Sequence, residues 1–152
     1  MRMALYQPDI AGNTGTIIRL CACFGVALDI IEPCGFPFSD KQLKRSAMDY
    51  ASAAQVERRP NFSTFNQAMK QGGHRLVLLT SRGDVRLPDA VFQENDVLLL
   101  GSEGAGVPDD VHDRAALRIR IPMKEGFRSL NIAVAGGIAL SEALRQTGLY
   151  PA

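Results

Sequence analysis

At 152 residues and 46% hydrophobic content, the chain is long enough to bury one sizeable core and short enough to read as a single domain over residues 1–152. Seventeen Lys and Arg against sixteen Asp and Glu leave a net charge of +1; no global field dictates a polyanionic partner, and none forbids one, since a local basic patch can act inside a neutral total. No apolar run approaches the roughly 20 residues of a membrane span, and the opening MRMALYQPD lacks a long apolar signal region, so a cytoplasmic protein without membrane contact is expected.

Residues 3–6 are a short apolar run closed by Gln7-Pro8, the first predicted strand. Residues 13–24 carry Ile17, Ile18, Cys21 and Phe24 at helical spacing until Gly25 stops them. Residues 26–31 form a β-branched strand ended by Glu32-Pro33, long enough to be buried. Residues 39–45 read as a short basic helix capped by Ser39 or Asp40. A weak strand at 55–58 precedes a helix at 64–70, which ends at Gly72-Gly73, and a clear strand, RLVLLT, at 75–80. Another apolar strand at 97–100 leads into GSEGAGVPDD, a short helical turn and a further strand at 118–122. The last helix covers 130–147. Strands alternating with helices predict an α/β domain with a mostly parallel sheet flanked by helices.

Several chemistries lose support on spacing. Cys21 and Cys23 stand at i and i+2 of a helix and point to different sides, which argues against a zinc site; no metal is expected, and small buried thiols in a reducing compartment fit all three cysteines, Cys34 included. Neither Gly12 with Gly15 nor Gly101, Gly104 and Gly106 makes Gly-x-Gly-x-x-Gly, and no Gly-Lys-Ser/Thr occurs, so a dinucleotide-binding fold or an NTPase is disfavoured. His74 and His112 lie far apart, with no Gly-x-Ser-x-Gly elbow beside them.

What remains is three polar, Gly-containing loops, each directly after a strand: residues 80–83, 101–106 and 123–129. In an open parallel sheet, loops leaving the C-terminal strand ends converge on one crevice. Glycines there let backbone approach a flat ligand closely and present amides and carbonyls to it. Each loop alone is an ordinary tight turn, whereas the three together describe a pocket.

Three segments then carry a family resemblance: NTGTIIRLCACFG over 13–25, LLLGSEGAGVP over 98–108 and IRIPMKEGFRSLNIAVA over 119–135. They resemble the three motifs of the SPOUT class (SpoU-like) of S-adenosylmethionine-dependent RNA methyltransferases. With YQPDIAGNTG near the start, IIEPCGF at 30–36 and the minimal length, the chain is most similar to the tRNA wobble-nucleotide (cytidine/uridine-34) 2′-O-methyltransferases, over essentially its whole length. The resemblance implies a C-terminal deep trefoil knot within the α/β fold, S-adenosyl-L-methionine as methyl donor, tRNA as substrate, and a homodimer with two pockets near the subunit interface. It aligns cofactor contacts with Leu79, Gly101, Ile121 and Ser129, with Thr80 and Leu130 adjacent, and other polar motif positions with Asn13, Glu103, Arg128 and Asn131. Arg19 aligns with the arginine given a catalytic role in related enzymes. Two positions depart from the branch: Ala105 stands where a basic residue is often found, and Ser141 where a tyrosine is.

Methyl transfer to a ribose hydroxyl needs in-line positioning, loss of the hydroxyl proton and a setting that favours dispersal of the sulfonium charge. A guanidinium gives up its proton too reluctantly to be a good base in water, so Arg19 is better read as clamping a phosphate and stabilising the developing alkoxide than as accepting the proton. Glu103 is placed to hold a ribose or a loop amide, or to cap the helix that follows it. RNA-binding cations would come from Arg2, Lys41, Lys44, Arg45, Arg58, Arg59 and Arg128, and Phe36 and Phe38 suit either base stacking or the core. The paired Gly136 and Gly137 weaken the last helix by roughly 1 kcal/mol each, so close backbone approach by the knotted loop or a partner subunit is expected there. Alternatives left open are the same chemistry on ribosomal RNA and a non-catalytic nucleotide- or RNA-binding module of the same fold.

Overall fold

Runs of consecutive apolar residues are accommodated where both faces of a sheet are covered, and strands of that kind alternate with helices in the computed structural model, which describes residues 1–39, 41, 45, 50 and 52–152. In chain order the elements are β1 (Arg2–Tyr6), α1 (Ala11–Phe24), β2 (Ala27–Ile31), β3 (Val56–Arg59), α2 (Phe62–Gln71), β4 (Arg75–Leu79), β5 (Val85–Arg86), a 3-10 turn (Leu87–Asp89), β6 (Asp96–Leu100), α3 (Asp109–Arg114), β7 (Leu117–Arg120) and α4 (Ile132–Thr147). The strands of the described residues form one sheet in the order β3-β2-β1-β6-β4-β7-β5, with every neighbouring pair parallel. The mostly parallel sheet expected from the sequence is thus present, with element boundaries shifted by at most two residues. Of the helix expected over 39–45, residues 40 and 42–44 lie outside the described residues, Lys44 among them.

Side-chain alternation assigns the two faces. Met3 and Leu5 of β1 and Leu98 and Leu100 of β6 join Ile17, Ile18 and Cys21 of α1 and Ala139, Leu140, Ala143 and Leu144 of α4 in one core. Ala4, Val97 and Leu99 point the other way, onto Phe65 and Met69 of α2 and Val111 of α3. β6 lies in the middle, and all five of its residues are buried. No helix among the described residues is long and apolar enough to cross a membrane.

Two carboxylates are fully buried, and each is held by arginine. Asp29 receives Arg2 Nε at 2.9 Å and Arg59 Nε at 2.7 Å. Asp96, the first residue of β6, receives Arg75 Nε at 2.6 Å and Nη2 at 2.8 Å, and the Gln93 amide at 2.8 Å. These pairs involve three cations of the expected RNA-binding set. Arg2 and Arg59 are committed to Asp29 and Arg58 to Glu32, so the β3 arginines neutralise the sheet edge.

The most constrained part of the topology was invisible in the sequence. β7 sits between β4 and β5, yet only residues 80–84 join those two strands, so this connection crosses over β7. Thr80 N–H donates to Ile119 O at 2.9 Å, and Arg120 Nη1 donates to Gly83 O at 2.6 Å. A Cβ built on Gly83 would lie 2.4 Å from the Ile119 carbonyl carbon and 2.7 Å from Arg120 N. Backbone therefore crosses backbone with no room for a side chain.

The glycine pair of α4 behaves differently from expectation. A Cβ on Gly136 would meet Leu100 Cδ1 at 2.9 Å and Met3 Cε at 3.3 Å, so this residue seats the helix on core side chains. Gly137 has nothing nearer than Leu20 Cδ2 at 3.9 Å and is open within the chain.

Gly83→Ala is expected to destabilise the fold by about 3 kcal/mol through overpacking against rigid backbone. Gly12→Ala, whose added Cβ meets nothing within 4 Å near the start of α1, should stabilise by about 0.5 kcal/mol. Urea denaturation midpoints of the two variants distinguish them, and a tolerated Gly83→Ala would refute the crossing geometry. Arg75→Ala strands the buried Asp96 carboxylate and is expected to cost about 3 kcal/mol in the same assay.

Candidate functional site

Strands β1, β6, β4 and β7 are neighbours with their C-terminal ends on one edge, so the chain leaving each of them arrives at the same place. The result is a cavity of about 620 Å³, within the ~300–1,000 Å³ of small-ligand sites. β4 contributes Leu79 and Thr80, β6 the turn from Gly101 to Val107, and the segment after β7 Ile121, Met123, Arg128, Ser129 and Leu130, while Asn13 and Asn131 close one side. Every site residue expected from the sequence except Arg19 lines this cavity.

The Gly101 turn has little freedom. Ser102 and Gly106 exchange backbone hydrogen bonds of 2.9 Å in both directions, and a Cβ on Gly101 would fall 2.7 Å from Gly106 Cα. Gly106 itself has φ +66°, the left-handed region where glycine carries no Cβ penalty. The turn thus presents main-chain groups to the cavity in a fixed arrangement.

A chain of hydrogen bonds braces the polar side. Glu103 Oε2 accepts from Asp9 N–H at 2.7 Å, and Glu103 Oε1 accepts from Asn13 Nδ2 at 3.3 Å. Asn13 Oδ1 accepts from Asn131 Nδ2 at 3.0 Å. Asn131 Oδ1 in turn caps α4 by accepting from Ala133 N–H at 2.8 Å and Val134 N–H at 3.4 Å, two of the amides that a helix start leaves unbonded. Of the roles expected for Glu103, holding a loop amide is present and capping the next helix is not: α3 begins after Pro108, with no side-chain cap.

Asp9 is the site residue that sequence reasoning missed. Its carboxylate accepts from Gly104 N–H at 3.0 Å while its own amide feeds Glu103, so it locks the β1 loop to the β6 turn from both directions. Its only signal was its position just past a strand end, in a Gln-Pro-Asp stretch that reads as a plain turn.

Arg19 stands apart. It lies on the exposed face of α1, outside the cavity lining, with its guanidinium carbon 4.7 Å from the centroid of the Tyr50 ring, a cation–π contact. Of the two departures noted in the sequence, Ala105 lines the cavity and Ser141 does not; the Ser141 hydroxyl is 2.6 Å from that of Tyr150.

Other reactive groups are quiet. Burial pushes the Cys21 thiol up to about 12, and burial together with Glu32 and Glu103 pushes Cys34 up to about 11 against the opposing pull of Arg58. Neither offers a thiolate at neutral pH. Among the described residues, no three His, Cys, Asp or Glu side chains gather into a metal-binding group.

The model of the SpoU rRNA Methylase family matches residues 1–141. A tRNA (cytidine(34)-2′-O)-methyltransferase of Ancylobacter novellus is 51% identical over 148 residues, covering 97% of this chain and 94% of that protein. A solved structure described as "Structural insights into the 2-OH methylation of C/U34 on tRNA" superposes with a TM-score of 0.90 at 39% identity, covering 95% of this chain and 94% of the other. The AdoMet-bound rRNA methyltransferase from Sinorhizobium meliloti gives 0.85 at 32% identity, covering 95% of this chain but 55% of its own. A fold built on a parallel sheet, a glycine-lined cavity at its strand ends and likeness along nearly the whole chain agree: the protein belongs to the SpoU rRNA methylase family.

Proposed function

We propose that the protein methylates the ribose 2′-hydroxyl of the wobble nucleotide, cytidine or uridine 34, in tRNA anticodons, with S-adenosylmethionine as methyl donor, in the cytoplasm. The observation that carries this reading is the convergence of three strand-end loops on one cavity in a chain whose near full-length relatives bear that name. Coverage favours tRNA over ribosomal RNA, because the chain matches 94% of the tRNA relative but 55% of the rRNA enzyme.

The residues present fit the donor. Backbone groups of Leu79, Gly101 and Ile121 with Ser129 would hold it, with Thr80 and Leu130 beside them, in a space where Gly101 admits no side chain. When bound, S-adenosylmethionine supplies an electrophilic methyl group on a sulfonium. The chain's own task is orientation, for which effective molarities correspond to ~7–11 kcal/mol in favourable cases. Asn13, Glu103 and Asn131 keep the polar wall in place, and Arg128 stands among the lining residues as a contact for the substrate.

Arg19 completes the site in a homodimer. It is exposed and does not line its own cavity, so Arg19 of the partner subunit would reach the reacting ribose, clamp the neighbouring phosphate and stabilise the alkoxide as the proton leaves. The dimer would bury the exposed apolar strip of α4, where Val134 and Ile138 are 52% and 41% accessible and Gly137 leaves an open notch. The crossing of residues 80–84 over β7, followed by the return of the chain to α4, supports the deep trefoil knot expected of the class.

Incubation with labelled methyl donor and undermodified tRNA should place one methyl group on nucleotide 34, and failure to label any tRNA would sink the assignment. Arg19→Ala is expected to lower kcat at least a hundredfold, about 2.7 kcal/mol, while donor affinity by calorimetry stays unchanged. Gly137→Leu should halve the apparent mass on a sizing column, and an intact dimer would refute the α4 interface.

A further inference from the structure

The loop that follows β2, residues 32–38, leaves the same edge of the sheet as the cavity loops, and the function proposed above gives it no task. It is fastened to the site. Gly35 N–H donates to Pro8 O at 2.9 Å, and a Cβ on Gly35 would lie 3.0 Å from Asp9 Cα, so the loop rests on the residue whose amide holds Glu103 and whose carboxylate holds Gly104.

On this loop two half-exposed rings stack on each other: Phe36 and Phe38 have centroids 6.2 Å apart and planes 27° from parallel. The Arg58 guanidinium carbon lies 4.3 Å from the Phe38 centroid, and Glu32 pairs with Arg58 to fix it there. Phe38 leans on the main core, whereas Phe36 belongs to neither core cluster, and Phe38 is its only ring partner among the described residues. Core packing therefore accounts for one ring and leaves the other unexplained.

We propose that Phe36, Phe38 and Arg58 form a stacking platform for an unpaired nucleobase of the RNA substrate, adjacent to the nucleotide whose ribose enters the cavity. The platform rests on the methyltransferase reading and deepens it by naming how the flanking base is held. Single-stranded RNA is recognised by laying unstacked bases on aromatic rings and arginine planes, and every base has a π-face, so a platform of this kind tolerates sequence while demanding a base that is not paired. Arg58 adds positive charge beside the rings, and Arg59, although committed to Asp29, lies next to it on the same edge strand. A helical RNA duplex offers neither exposed bases nor a reason for the rings.

The chain contains no tryptophan, so Phe36→Trp introduces a single fluorescent reporter. Its emission should fall on titration with an anticodon stem-loop RNA and stay unchanged with heparin, which offers anionic charge without bases. Phe36→Ala should raise KM for tRNA about tenfold, with the loss in KM rather than kcat and unchanged affinity for S-adenosylmethionine. Phe36→Tyr should recover the wild-type KM, and Phe36→Leu, apolar but without a π-face, should resemble Phe36→Ala. Full recovery by Phe36→Leu, an unquenched reporter at saturating RNA, or an effect of Phe36→Ala confined to the oligomeric state would overturn the platform. Were the wild-type protein to methylate no tRNA, the functional reading would fall, and quenching by a short single-stranded RNA would still decide the platform alone.

Discussion

The passage of residues 80–84 across β7 is the steric constraint on which the site depends. Because β4 and β5 flank β7 and are joined by so short a segment, the crossing occurs at backbone contact, and Gly83 is the residue that permits it. The crossing pins the loop after β4 against the end of β7, where the chain sets out through residues 121–131 towards α4. The roots of two of the three cavity walls are thereby fixed relative to each other by backbone contact, with the Arg120 side chain donating across it to Gly83 O. Backbone packed this closely has no room to drift, so the roots of both loops are held in one arrangement at the crossing.

The third wall is positioned by polar means. Glu103 uses both carboxylate oxygens on Asp9 and Asn13, and Asn13 passes the chain on to Asn131 at the start of α4. Hydrogen bonds to a carboxylate are stronger than neutral ones, and here they link turns that lie far apart in the sequence. Polar motif residues that invite a catalytic reading are thus occupied in bracing the cavity. Acid–base or phosphate-binding work falls to groups outside the brace, and Arg19, which lies outside the cavity lining and packs on the Tyr50 ring, is not part of it.

What could be read in advance follows from the range of the forces involved. The apolar strands at the sheet centre were legible because burial on both faces demands runs such as LLL at 98–100, and the cavity loops because polar glycine turns follow those runs directly. β5 was not legible, since two residues carry no periodicity, and Gly83 stands in a stretch that looks like any other turn until β7 is laid against it. Asp9 stayed hidden for the same reason: its partners are 94 and 95 residues away. The partner of Arg59 was not legible, because a cation in a polar strand looks the same whether it meets RNA or a buried Asp29. The paired glycines of α4 likewise looked equivalent, though only Gly136 lies against the core.

Charge shows why a nearly neutral protein can still recognise a polyanion. Arg2, Arg58 and Arg59 meet acids at one sheet edge, Arg75 meets Asp96 in the interior, and Arg118 and Arg145 pair with Asp84 and Glu142. Much of the charge behind the net +1 is thus spent inside the protein. Arg128 lines the cavity and makes no ion pair among the described residues, and near it Met123, Leu130 and above all Phe127, 71% accessible, expose apolar surface. A cavity rim that sets one such arginine among several exposed apolar side chains is a poor cradle for a duplex backbone, which binds through many phosphate contacts. It suits a single unstacked nucleotide, gripped at one phosphate and wrapped by apolar side chains, as an anticodon loop presents. The balance of the sequence and the shape of the site then favour the same substrate: recognition of one exposed nucleotide needs local charge only.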